Sequence, residues 1–66
     1  MKYSLVGVDG NAFSIMGYVA KAMRREGKSK EEIDKYYELA ESSDYHNLLT
    51  VSADKIHQLN KSLEDN

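Results

Sequence analysis

Apolar side chains fall at Ala12, Ile15, Met16, Val19, Ala22 and Met23, the three-and-four spacing of an amphipathic helix. Asp9 or Asn11 can accept from the free N–H groups at its start, and Gly27 suits the position just past its end. A first helix over about 12–26 follows. Ser29-Lys30-Glu31-Glu32 then spells a capping box, in which the Ser29 hydroxyl and the Glu32 carboxylate each take the other residue's amide. Ile33, Tyr36, Tyr37 and Ala40 give the next helix its apolar stripe over about 29–42, and Ser42 or Ser43 is placed to end it and cap the third. Tyr45, Leu49, Ser52, Ile56, Leu59 and Leu63 are spaced 4, 3, 4, 3, 4, which predicts a helix over about 44–60. That seam suits a coiled coil. Interrupted by Ser52 and shorter than three heptads, it suits better a helix lying on the other two. Residues 62–66 read as a frayed tail.

The period differs ahead of the first helix. Lys2-Tyr3-Ser4-Leu5-Val6-Gly7-Val8 is rich in Tyr and Val and closes on Asp9-Gly10-Asn11, a turn cluster in which Gly10 or Asn11 takes positive φ at little cost. The expected fold is therefore α+β, mostly α: one short N-terminal β-strand followed by three helices, in a single domain spanning residues 1–66. A lone strand leaves N–H and C=O groups unpaired on both edges. It calls for a mate, either the same strand of a second copy, a stretch near the C-terminus, or another protein. Below about 70 to 80 residues a lone core rarely supplies more than about 3 to 5 kcal/mol, so pairing into a homodimer answers both needs. Gly17 inside the first helix costs about 1 kcal/mol against alanine, which close approach of a neighbouring element would explain.

Composition removes several classes of function. The 66 residues contain no cysteine, so no disulfide and no thiol nucleophile is available. A closed zinc site wants four Cys or His ligands, whereas only His46 and His57 are present, separated by three turns or about 16 Å of helical rise. Neither metal nor cofactor is expected. No serine has a histidine and a carboxylate at a spacing suggestive of a triad, and the chain reads as non-enzymatic. Apolar runs stop well short of the roughly 18 residues of a membrane span, and the N-terminus lacks a signal-peptide layout, so the expectation is a cytoplasmic protein away from membranes.

Charge is distributed unevenly. Residues 1–30 carry six bases and two acids, and residues 31–66 three bases and nine acids, giving halves of +4 and −6. Lys21, Arg24, Arg25, Lys28 and Lys30 gather at the end of the first helix, where they complement its negative end and can pair with Glu31, Glu32 and Glu38. A nucleic-acid footprint is the weaker reading of this cluster, since the pI of 5.6 is far from that of a basic domain. A helix-turn-helix reading fails on the same ground, because the third helix leans acidic. The junction from Gly7 to Ala12 offers outward amides at a helix start, a setting that holds phosphates. It fits neither dinucleotide nor P-loop spacing. A small anionic or nucleotide-type ligand there, counter-charged by Arg24, Arg25 or Lys28 of a neighbouring subunit, is the second functional reading. Five tyrosines exceed what so small a core buries with satisfied hydroxyls, and they suit either an interface or, for Tyr36 and Tyr45, the rim of the core with hydroxyls in water. The residues singled out for a ligand or partner are Asp9, Gly10, Asn11, Phe13, Arg24, Arg25, Lys28, Tyr36 and Tyr37.

Leu5-Val6-Gly7, Asp9-Gly10-Asn11-Ala12-Phe13, Ile15, Gly17, Val19, Ala22, Arg24-Arg25, Gly27, Lys30-Glu31-Glu32-Ile33-Asp34, Asp44-Tyr45 and Leu48-Leu49 together resemble a family of very short, uncharacterised bacterial and bacteriophage proteins. The resemblance covers about residues 2–51, and the chain departs from the family's pattern beyond Val51. It implies a small stand-alone protein in a bacterial or mobile-element setting and brings no activity with it. The leading expectation is a self-associating, non-enzymatic interaction or regulatory module.

Overall fold

The computed structural model describes residues 2–64, which form three α-helices: α1 (Ala12–Arg25), α2 (Lys30–Ala40) and α3 (Tyr45–Glu64). Each packs against the other two. The chain among the described residues is all-α, and the expected N-terminal β-strand is absent. Residues 2–8 instead lie across the bundle as an irregular segment. They turn back at Leu5–Val8, where the Val8 N–H donates to the Leu5 carbonyl at 3.1 Å and Gly7 holds φ of 85°. This is a type II turn, which needs positive φ at its third residue. Gly7 thus takes the left-handed conformation expected of Gly10 or Asn11, neither of which has positive φ.

A strand is unnecessary here because side chains supply what a sheet neighbour would. Asn60 Oδ1 accepts from the Tyr3 N–H at 2.9 Å, and Asn60 Nδ2 donates to the Tyr3 carbonyl at 2.8 Å. The Ser4 N–H donates to the Tyr18 hydroxyl at 3.0 Å. Buried backbone polar groups must be paired, but the partner need not be backbone. With no strand edge to cover, one of the two grounds for pairing across a second copy falls away, and the small size of the core is the one that stays.

The helix ends follow the local chemistry. Asn11 caps α1, its Oδ1 accepting from the Phe13 N–H at 2.8 Å and the Ser14 N–H at 3.4 Å, while Asp9 Oδ1 accepts from the Asn11 N–H. At the other end the Lys28 N–H reaches the Met23 carbonyl and the Gly27 N–H reaches the Arg24 carbonyl, with Gly27 at φ 78°. That is a Schellman motif. Ser29 caps α2 through the Glu32 amide, the hydroxyl half of the capping box. The cap of α3 is Asp44, whose Oδ1 accepts from the Asn47 N–H at 2.9 Å; neither Ser42 nor Ser43 fills that role, and the Ser42 hydroxyl donates to the Leu39 carbonyl instead. Asn47 Nδ2 also donates to the Leu39 carbonyl, so the end of α2 is tied to the start of α3. The third helix runs one turn beyond its expected end, through Ser62 and Leu63; of the expected tail, Asp65 and Asn66 lie outside the described residues.

The core joins Ile15, Met16, Val19, Ala20, Ala22 and Met23 of α1 to Ile33, Tyr36 and Ala40 of α2, Leu48, Ile56 and Leu59 of α3, and Tyr3. Ser52, which interrupts the apolar seam of α3, is fully buried and pairs with the Tyr36 hydroxyl at 2.6 Å. Burial pushes the Tyr36 phenol up from its ordinary value. Gly17 is exposed, with open space where a Cβ would stand. Close approach therefore does not account for it.

Candidate functional site

One end of the bundle is formed by the start of α1, the end of α2 and the start of α3. Its geometry is fixed by the caps: Asn11 starts α1, Asn47 ties α2 to α3, and the Tyr45 hydroxyl donates to the Gly10 carbonyl. Between these ends lies an open groove of about 310 Å³ with Phe13, Met16, Ala40, Tyr45 and Leu48 among its lining residues. Phe13, at the second position of α1, points away from the buried stripe and is 81% exposed. Tyr45 is about half exposed, as is Leu39 on the last turn of α2. An exposed apolar side chain alone is ordinary; here Phe13 and Tyr45 stand exposed over a lining in which Met16, Ala40 and Leu48 are buried.

The electrostatics of this end are one-sided. Residues 9–16 and 38–48 contain Asp9, Glu38, Glu41 and Asp44 and no lysine or arginine. Glu41 and Asp44 line the groove itself.

Cations collect at the opposite end, where α1 finishes. Arg24, Lys28 and Lys30 border one hollow of about 240 Å³ with Asp34 and Tyr37, and Lys2, Lys21 and Arg25 border another of about 120 Å³ beside Tyr3 and Tyr18. Arg24 and Arg25, adjacent on a helix and so about 100° apart around it, open onto different hollows. The expected pairing with Glu31, Glu32 and Glu38 is not what forms. The ion pairs among the described residues are Lys30–Asp34 at 2.9 Å, within α2, and Lys2–Glu26 at 3.1 Å. Glu26 also accepts from the Tyr3 hydroxyl. That bond, then the one from Lys2, holds the Glu26 carboxyl below the usual carboxylate range, while Glu26 in turn raises both the Tyr3 phenol and the Lys2 ammonium. These three groups serve one another and fasten the N-terminal segment to the end of α1.

The residues singled out in the sequence divide between the two ends. Asp9, Gly10, Asn11 and Phe13 belong to the groove end, and Arg24, Arg25, Lys28 and Tyr37 to the cationic end. The 14 residues of α1 separate them by about 20 Å. Asp9, Gly10 and Asn11 work as joints: Asn11 and Asp9 take the amides of Phe13, Ser14 and Asn11 that an anion would need. Tyr36 is 1% exposed and faces Ser52, so it meets no partner in this fold. Tyr37 is half-buried against it, with ring centroids 5.7 Å apart. His46 and His57 are exposed, and among the described residues no group of three or more His, Asp or Glu is placed to share a metal ion.

Tyr45, Leu39, Met16 and Leu48 belong to the groove end without having been singled out. For Leu39 a signal was present, because it is a large apolar residue off the Ile33–Tyr36–Ala40 stripe, as Phe13 is off the stripe of α1. No helix among the described residues is long and apolar enough to cross a membrane. No protein-family model, curated protein or solved structure matches this chain, and its functional reading rests on its own residues.

Proposed function

We propose that this chain is a non-enzymatic protein-interaction module that docks a partner on the groove between Phe13 and Tyr45. The observation that carries the reading is Phe13 itself, a phenylalanine 81% exposed beside a groove whose walls are held in place by the Asn11 and Asp44 caps and by Asn47. A rigid, preformed surface loses little entropy on binding, and aromatic anchors carry most of the energy in such contacts. Phe13 stands where a contact outside the chain would bury it.

The anionic-ligand reading finds less support, since the amides at the start of α1 are taken by Asn11 and Asp9 and the cations stand at the far end of the helix. Nucleic acid finds less as well, with Arg24 and Arg25 facing separate hollows. The test is affinity capture with the wild-type chain and with Phe13→Ser at equal folded content. A protein held by the first and released by the second supports the reading. Identical captured sets, or none, would overturn it.

A further inference from the structure

The geometry points to a specific class of partner for the groove: an amphipathic helical segment whose apolar anchors are flanked by lysine or arginine. This inference rests on the reading of the groove as a docking surface, and goes beyond it by naming the chemistry of the occupant.

Shape sets the first condition. The groove is bounded by Phe13 and Tyr45, with Met16, Ala40 and Leu48 also lining it, and the walls are helix ends whose own backbone groups are capped. With the α1 N–H groups of Phe13 and Ser14 taken by Asn11, and the last α2 carbonyls taken by Asn47 and Ser42, these ends offer little to an extended peptide that needs backbone pairing. A helix satisfies its own backbone and needs from the groove only room for side chains at i, i+3 or i+4. The groove is open, at about 310 Å³, so it can be approached by side chains from outside the chain.

Charge sets the second. Glu41 and Asp44 line the groove and Asp9 and Glu38 lie in the segments that form this end, with no lysine or arginine in residues 9–16 or 38–48. An acidic partner would meet Glu41 and Asp44 in the groove with no lysine or arginine among its lining residues. Juxtaposed like charges are costly, and complementary ones speed encounter and fix orientation. The same reasoning disfavours a second copy of this chain. Groove against groove sets the carboxylates of one copy on those of the other. Groove against the cationic end offers the right charge without anchors, because among the side chains bordering the two cationic hollows none is an exposed large aliphatic or phenylalanine.

The experiment is a titration of the isotope-labelled full chain, followed by backbone amide NMR, with three synthetic helical peptides of about 18 residues, five turns. One is built of Leu and Lys, one of Leu and Glu on the same pattern, and one of Lys and Gln without leucine. The Leu/Lys peptide is expected to shift the amides of Phe13, Met16, Glu41, Tyr45 and Leu48. It should bind about tenfold or more tighter than either control, and weaken as salt rises. Glu41→Lys should reduce its affinity several-fold without unfolding the chain, since a cation is favourable at the end of α2. Phe13→Ser should reduce it about tenfold.

Equal binding of the Leu/Glu peptide at the same amides would overturn the cationic class and leave the groove as a docking site. Equal binding of the Lys/Gln peptide would overturn the need for apolar anchors. Shifts of these amides with protein concentration alone would make the occupant a second copy and overturn the inference. Silence of these amides toward all three peptides would overturn both the partner class and the docking surface.

Discussion

Asn60→Ala removes both bonds that hold the backbone of Tyr3, at 2.9 and 2.8 Å, and both are buried. Tyr3 is 4% exposed, so its N–H and carbonyl would be left without partners inside the protein. An orphaned buried polar group costs about 1 to 3 kcal/mol. Two of them on a short terminal segment, which can shift to admit water, give an expected loss of about 2 to 4 kcal/mol. A 66-residue domain at roughly 0.05 to 0.15 kcal/mol per residue has about 3 to 10 kcal/mol in all. The loss takes a large share of that total. Urea unfolding followed by far-ultraviolet circular dichroism measures the loss, and amide hydrogen exchange locates it. The Tyr3 amide should be protected in the wild type and fast in the variant. Combining Asn60→Ala with Tyr18→Phe, which removes the acceptor of the Ser4 N–H, should cost less than the sum of the two alone, because both hold one segment. A loss under about 0.5 kcal/mol, or fast exchange at Tyr3 in the wild type, would refute the claim that side chains replace a sheet neighbour here.

Gly17→Ala should stabilise the chain by about 0.5 to 1 kcal/mol, since the site is helical, exposed and open; thermal unfolding would show a rise of about 4 to 8 °C per kcal/mol, and a fall would mean a neighbour stands there. Tyr36→Phe leaves the buried Ser52 hydroxyl alone and should cost about 1 to 3 kcal/mol in urea unfolding, with Tyr36→Phe/Ser52→Ala costing less than the two single changes summed. Glu26 has a folded-state pKa below its unfolded one, so its contribution is present above the ordinary carboxylate range near 4.3 and is lost as pH falls through the folded value. The stability gap between wild type and Glu26→Gln should accordingly be constant above about pH 5 and close on further acidification. Tyr3 and Lys2, both raised, contribute below about pH 10, and that contribution fades at higher pH. Urea midpoints across pH test both limbs, and a gap that stays flat through the acid range would contradict the role given to Glu26.

The helices were legible because their signals are local. The stripe from Ile15 to Met23, the Asn11 cap, Gly27 past the end of α1 and Ser29 before α2 are set by residues within a turn of one another. The N-terminal segment was misread because its partners are distant. Tyr and Val at residues 2–8 have strand propensity, but what decides their conformation is Asn60, 57 positions away from Tyr3, together with Tyr18. A polar residue late in a helix carries no mark that it will clamp a backbone. Ser52 is the same case, a serine in an apolar seam that reads as a flaw until Tyr36 is placed opposite it. Of the candidate site, Phe13 and the turn before it were legible as residues, while Tyr45, Leu48 and the acidic rim became a site only when the caps brought three helix ends together. The cationic cluster, continuous along the sequence, is divided by helical geometry between two hollows.

The central claim is that Phe13 is exposed in order to be covered by another protein. A photoreactive benzophenone amino acid placed at residue 13, with a control at the exposed Glu31 on the first turn of α2, tests it in the cells that make the chain. Light should yield an adduct from residue 13 with a protein other than a second copy, and none from residue 31. No adduct from residue 13, or the same adducts from both positions, would contradict the account.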